Sequence, residues 1–187
     1  MKLYLIRHGE SETNLRRCYT GWLDVPLTEK GEHDALFAKG IIEGINFDEV
    51  FSSDLLRAVR TANIALPSCA PKLTPLLREF DVGCLANVPI ASLTQADFKS
   101  IRDNGFSIFG GESRADFIGR VREFMHLMEK SDADSIAAFT HNGFIRIMME
   151  EVIGATLIRK KIVCANCAVC VFEYSDSEWK LHSLINQ

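Results

Sequence analysis

Three polar groups in this chain each follow an apolar run, and together they hold the residue types suited to phosphoryl chemistry. Arg7-His8-Gly9-Glu10 follows the run to Ile6. Ser52-Ser53-Asp54, with Arg57 one turn further on, follows Val50-Phe51. Thr140-His141-Asn142-Gly143 follows the run from Ser135 to Phe139. Two histidines and two arginines gathered at one place favour a doubly charged, oxygen-rich anion, because a guanidinium fork matches phosphoryl oxygens. A neutral imidazole at such a place, His8, can attack phosphorus in line and leave a phosphohistidine. The leaving oxygen then needs a proton, which a carboxylic acid supplies well. Glu79, within Leu77-Arg78-Glu79-Phe80-Asp81-Val82-Gly83, is the leading candidate, with Asp81 and Glu112 as alternatives. Gly9 and Gly143 permit sharp turns and close approach of the backbone. A helix beginning after Asn142 points its free N–H groups to the same place.

Other chemistries fit less well. Cys164, Cys167 and Cys170 are spaced like cluster ligands, but no fourth ligand follows at a suitable distance. The run overlaps an expected strand, where Cys167 and Cys170 would face opposite sides, so buried apolar packing is the expected role. Asp132-Ala133-Asp134-Ser135 resembles an aspartate nucleophile loop but precedes a strand instead of following it. No cysteine has an arginine six residues later, and no Gly-x-Ser-x-Gly, P-loop or Gly-x-Gly-x-x-Gly occurs. His33, His126 and His182 stand in no motif and are expected to be structural or solvated.

The elements that must position these groups alternate between strand and helix. Lys2 to Ile6 reads as a short strand. Thr28 is an expected N-cap for a helix carrying Ala35, Leu36, Ile41 and Ile42. Val50-Phe51 reads as a strand, with Ser52, Ser53 and Asp54 as cap-type residues before a helix through Leu55, Val59, Ala62 and Leu66 that Pro67 stops. Pro71 to Gly83 looks irregular, and Thr94 to Arg102 helical. Phe117, Val121, Phe124 and Met128 share one face of a longer helix. Ser135 to Phe139 reads as a buried strand and Ile145 to Ile153 as helix. Ala168 to Phe172 and Trp179 to Leu184 read as a hairpin around Ser175-Asp176-Ser177. Such alternation predicts an α/β fold with an open, mostly parallel sheet covered on both faces, which binds ligands beyond the carboxyl ends of its strands.

The 187 residues fit a single domain, 1–187, with no repeats or linker. The net charge of −4 argues against a nucleic-acid partner. No stretch is long and apolar enough for a membrane span, and no export signal precedes the first strand. Six cysteines without such a signal read as reduced thiols, so a cytoplasmic location is expected.

Leu5-Ile6-Arg7-His8-Gly9-Glu10 resembles the nucleophile motif of the histidine phosphatase superfamily, also called the phosphoglycerate-mutase-like family. The resemblance continues, in order, through Gly21-Trp22-Leu23-Asp24-Val25-Pro26-Leu27-Thr28, Ser52-Ser53-Asp54-Leu55-Leu56-Arg57-Ala58 with Thr61-Ala62, Gly111-Glu112-Ser113, and Thr140-His141-Asn142-Gly143. It implies a three-layer α/β/α sandwich. It also implies His8 as the phosphorylated nucleophile, Arg7, Arg57 and His141 as the phosphate pocket, and Glu79 as the proton donor. Asn14 resembles a further phosphate contact, and Thr20, Gly21 and Asn142 complete the expected substrate-binding set. Neither metal nor other cofactor is implied, only a small phosphorylated substrate.

The chain departs from the family pattern at two places. Cys84-Leu85-Ala86-Asn87 stands where many family phosphatases carry Trp-Glu-Gly. Cys18-Tyr19 replaces a common arginine and is similar to the branch acting on α-ribazole phosphate. Only 26 residues separate Gly83 from Gly110, which favours a phosphatase over a mutase. The alternatives are a phosphoglycerate mutase and a non-catalytic member that binds a phosphorylated ligand. Selectivity is expected in residues 10–27 and 84–109.

Overall fold

The computed structural model describes residues 1–154 and 162–187. Its sheet has six strands: β1 (Lys2–Arg7), β2 (Glu49–Ser52), β3 (Lys72–Leu73), β4 (Ser135–Thr140), β5 (Val169–Ser175) and β6 (Glu178–Ile185). Their order is β3-β2-β4-β1-β5-β6. The β3–β2, β2–β4 and β4–β1 pairs are parallel, whereas β1–β5 and β5–β6 are antiparallel. The helices are α1 (Glu12–Leu15), α2 (Glu29–Ile42), α3 (Leu56–Ala65), α4 (Gln95–Asn104), α5 (Arg114–Glu129) and α6 (Asn142–Ile153). None among the described residues is long and apolar enough to cross a membrane.

Period-two alternation in the strands supplies two separate cores. Leu3 and Leu5 of β1, Ile136 and Ala138 of β4, and Phe172 of β5 meet the apolar stripes of α5 and α6 on one face. Ile6, Ala137, Phe139, Val169 and Val171 meet Ala35, Ala38 and Ile42 of α2 and Ala62 and Ala65 of α3 on the other. The result is the expected α/β/α sandwich. The stripe Phe117, Val121, Phe124 and Met128 is buried as the spacing predicts, joined by Met125.

Helix starts follow side-chain caps. Thr28 accepts from Gly31 N–H at 3.0 Å, and Ser113 accepts from Asp116 N–H at 3.1 Å. Thr94 forms a reciprocal capping box with Asp97.

Leu36, counted with the apolar face of α2, is half exposed. Ser52, Ser53 and Asp54 do not cap α3, whose N-cap is Leu55 without a side-chain bond. The segment from Pro71 is not wholly irregular, since Lys72 and Leu73 pair with β2. Helix α6 starts at Asn142, earlier than its apolar residues indicate. Cys164 and Cys167 lie before β5 rather than within it, and Cys167 adopts φ of 57°. All three clustered cysteines are buried, with Cys164 and Cys170 in one core and Cys167 in the other.

The register brings three strand ends level. Arg7 stands opposite Thr140, and Ser52 opposite Phe139. His8 N–H then donates to Thr140 O at 3.0 Å, and Ser53 N–H to Phe139 O at 2.9 Å. His8, Ser53 and His141 therefore emerge side by side at one edge of the sheet.

Candidate active site

At this edge opens a cavity of about 440 Å³, whose wall includes Arg7, His8, Asn14, Thr20, Arg57, Glu79 and Asn142. His8 is almost fully buried. Its Nδ1 lies 2.7 Å from the Gly9 carbonyl, which can only accept, so Nδ1 carries the proton. Arg57 Nε–H donates to His8 Nε2 at 3.3 Å, consistent with a lone pair there. Burial first, then the positive charges of Arg57 and Arg7, hold His8 well below the ordinary histidine value of 6.5; the bond to Gly9 opposes them. The ring is thus neutral, with its lone-pair nitrogen, Nε2, fixed by geometry.

Arg57 sits in the first turn of α3 and is completely buried. Its Nη1 donates to Leu23 O at 3.0 Å and its Nη2 to Gly21 O at 2.8 Å. Burial lowers it to about 10, although Glu79 and Asp24 raise it. Gly21 does not reach the cavity wall. Its φ is +54°, and a Cβ there would meet the Val82 side chain at 2.5 Å, so its role in this structure is to present a carbonyl to Arg57. Arg7 Nη1 donates to Cys164 O at 2.5 Å, whereas Arg7 Nε is buried without a protein partner.

His141 packs against His8 with ring centroids 5.0 Å apart. Its Nε2 lies 2.9 Å from Ser53 Oγ, its Nδ1 is buried without a partner, and the residue, fully buried behind His8, is not itself on the cavity wall. Burial and then Arg57 keep this ring also well below 6.5.

Glu79 is held at the N-terminus of α6. Its Oε2 accepts from Gly143 N–H at 3.1 Å and its Oε1 from Phe80 N–H at 2.9 Å. The expected α6 donor is therefore engaged by the carboxyl group. A bracket of charged groups fixes the Glu79 backbone. Arg120 of α5 donates to the carbonyls of Leu76, Arg78 and Glu79 at 2.9, 2.7 and 3.0 Å, and pairs through its fork with Glu112. Glu112 also accepts from Asp81 N–H at 2.8 Å. Trp22 Nε1–H donates to Glu79 O at 2.8 Å. Arg78 stacks over the Trp22 ring while pairing with both oxygens of Asp54. Asp81 and Glu112, the alternative acids, are not on the cavity wall; Asp81 accepts from Gly83 N–H at 3.0 Å.

Of the remaining expected contacts, Asn14 Oδ1 accepts from Ser11 N–H and from Asn166 Nδ2. Thr20 Oγ1 lies 2.6 Å from Thr13 Oγ1. Asn142 Oδ1 accepts from Arg146 Nε at 3.0 Å. Arg146 and Asn166 were not expected here, and Ser53 was expected only as part of the Ser52-Ser53-Asp54 group, without a role toward His141. Arg146, one helical turn after Asn142, lines the cavity. Asn166 reaches back to His8 O at 3.1 Å, and Ser53 orients His141. Thr61, quoted only within a motif, accepts from Gly9 N–H at 3.0 Å and donates to Arg57 O at 2.7 Å. His33, His126 and His182 are exposed and remote from this wall.

The cysteine cluster offers no metal set: among the described residues no three His, Cys, Asp or Glu side chains gather as ligands. Burial pushes the Cys167 thiol up to about 12 and raises Cys164 and Cys170 as well, as fits inert packing.

The family model described as the histidine phosphatase superfamily (branch 1) matches residues 3–187. A Salmonella paratyphi A protein named as a probable phosphoglycerate mutase, GpmB, is 30% identical, with the alignment covering 96% of this chain and 87% of that protein. Among solved structures, the Thermus thermophilus protein TTHB049 is 31% identical with a TM-score of 0.81, covering 100% of both chains. An Escherichia coli K-12 structure, described as a candidate alpha-ribazole-5'-P phosphatase, is 25% identical with a TM-score of 0.83, covering 100% of this chain and 96% of that one. Because a relative bearing the mutase name is covered over 87% of its length, the shortness of segment 84–109 does not by itself separate phosphatase from mutase. Strand order, the gathered pocket and the match over residues 3–187 agree: the chain belongs to the histidine phosphatase superfamily, branch 1.

Proposed function

We propose that this chain is a phosphomonoesterase that hydrolyses a small phosphorylated metabolite through a phosphohistidine on His8. One observation carries the reading: a buried, neutral imidazole whose Nε2 lone pair is set on the cavity wall against the buried Arg57, with Arg7 on the same wall. His8 Nε2 attacks phosphorus as the ester P–O bond breaks, and Glu79 protonates the departing alkoxide. Glu79, now a carboxylate, takes a proton from water as that water attacks the phosphohistidine. Inorganic phosphate leaves, and both groups return to their starting states. Arg7 Nε and His141 Nδ1, both buried without a protein partner, are suited to donate to phosphoryl oxygens. For His141 this requires the proton on Nδ1, which a hydrogen bond from Ser53 Oγ–H to Nε2 would set. Positive charge at this site comes from guanidinium groups, so activity should persist in excess chelator.

The mutase named among the relatives would run the same first step and return the phosphoryl group to a second hydroxyl. Incubation with 3-phosphoglycerate, with and without its bisphosphate, separates the two by product. Release of inorganic phosphate is expected. Isomerisation without phosphate release would favour the mutase.

A further inference from the structure

Beside its charged groups, the cavity has an apolar wall that the chemistry above does not use. Tyr19, Ile90, Ile101 and Phe106 line it together with Val82 and Ile147. The first four come from the two segments that depart furthest from the family pattern, around Cys18-Tyr19 and in residues 84–109. A short ladder ties these segments together. Tyr19 N–H donates to Val88 O at 3.0 Å, Asn87 N–H to Tyr19 O at 2.8 Å, and Ile90 N–H to Arg17 O at 3.0 Å. The Tyr19 ring stands edge-on to Phe106, with centroids 5.4 Å apart, and Phe106 meets Phe80 at 4.9 Å. The wall is therefore built in advance, and a ligand seated on it would not have to order it.

The charges of the cavity are confined to other residues. Among the described residues, its lining cations are Arg7, Arg57 and Arg146. Arg146 is itself engaged: its Nε donates to Asn142 and its Nη2 to Ile162 O at 3.0 Å. A carboxylate held against Ile90, Ile101 and Phe106 would lose water without gaining a partner from those side chains. An uncharged ring would instead bury its faces against edge-on aromatics and branched aliphatics. A cavity of about 440 Å³ is large enough for such a body beside a phosphoryl group.

We infer that the cavity selects a phosphate monoester whose alcohol part is uncharged and carries a ring-sized apolar body seated on Tyr19, Ile90, Ile101 and Phe106. The inference rests on the phosphohistidine reading and adds a specificity subsite to it.

The test compares kcat/KM for 2-phenylethyl phosphate, ethyl phosphate and 3-phosphoglycerate. The first two release alcohols of similar acidity, so their ratio reads the ring contact rather than the chemistry. The expected ratio is about tenfold or more in favour of the ring-bearing ester, since even one methylene in an apolar pocket is worth that much. 3-Phosphoglycerate should fall below the ring-bearing ester. In Phe106→Ala and in Ile90→Ser the ratio should drop toward one. Ile90 is 38% exposed, so its variant keeps the test available if Phe106→Ala does not fold. Turnover through phospho-His8 with a ratio of one or less, a ratio unmoved in the folded variants, or a preference for 3-phosphoglycerate overturns the subsite alone. Absence of both turnover and histidine labelling with every ester overturns the phosphohistidine reading and the subsite with it.

Discussion

At Gly143 a methyl group would sit 2.0 Å from Glu79 Oε1, the mobile end of a flexible side chain rather than a wall of backbone. The fold can therefore accommodate the methyl, and the displacement falls on Glu79, the proposed proton donor. Gly143→Ala should still fold with a melting temperature close to the parent's, because a helix gain of up to about 1 kcal/mol offsets the loss of the Glu79 bonds to Gly143 and Phe80 N–H. Hydrolysis of an alkyl phosphate should fall roughly 10²-fold, the scale of a misplacement of about 1 Å. Melting curves and kcat on the same preparations check both. Glu79→Gln should slow alkyl phosphate hydrolysis by roughly 10²–10⁴-fold, the usual worth of a general acid. A nitrophenyl ester, whose leaving group needs no proton, should lose much less; equal losses on both would remove Glu79 from that role. Residues of this kind are legible in the sequence because their chemistry is in their type: His8, Arg7, Arg57 and His141 end or follow predicted strands. The partners of Ser53 and Thr61, and any role for Asn166, are not. Thr61 contacts Gly9 across 52 positions and Asn166 contacts His8 across 158, and only the folded chain creates those partnerships.

Among the elements, α5 does more than cover the sheet. Its apolar stripe is plain in the sequence, but its polar edge carries Arg120, which holds the Glu79 segment by three of its carbonyls while Glu112 holds Asp81 N–H. Arg120→Met would take the guanidinium from Glu112, leaving it Asp81 N–H, and from the Leu76 and Arg78 carbonyls, at a cost of about 1–3 kcal/mol. Its urea midpoint should fall accordingly, and its losses on alkyl and nitrophenyl esters should follow the pattern of Glu79→Gln. Lysine should not restore alkyl turnover, since one ammonium group cannot reproduce the fork. Unchanged leaving-group dependence in Arg120→Met would reduce the bracket to a purely structural role. Helices and long strands were legible mainly from period; Thr28 stands at the N-cap expected of it, whereas the caps Thr94 and Ser113 came only with the fold. The pair Lys72–Leu73 was not legible, because two exposed residues show no alternation. The start of α6 was legible from the polar group, which put it just after Asn142, but not from the apolar run, which begins only at Ile145; Asn142 and Gly143 are poor helix formers.

At the scale of the whole molecule, two buried neutral histidines link the site to stability. In the fold His8 and His141 are held well below 6.5, whereas unfolded histidines titrate near that value. Below pH 6.5 the unfolded chain binds protons that the folded chain refuses, so stability is intact above that pH and declines as pH falls. The slope is at most about 1.4 kcal/mol per pH unit for each histidine. Urea midpoints between about pH 7.5 and 5.5, spanning the ordinary histidine value, should fall, and should fall less steeply in His141→Asn; a flat profile would contradict the buried neutral state. The same arrangement of sheet edge, arginines and neutral imidazole underlies the proposed chemistry. The most direct test of that chemistry is to quench the enzyme during turnover of an activated aryl phosphate and locate the phosphoryl group by mass spectrometry of its peptides. An acid-labile, alkali-stable phosphoryl group on the peptide containing His8 is the predicted result, absent in His8→Ala and still formed in Glu79→Gln. A label that persists in His8→Ala, or that sits on another residue, would contradict the account.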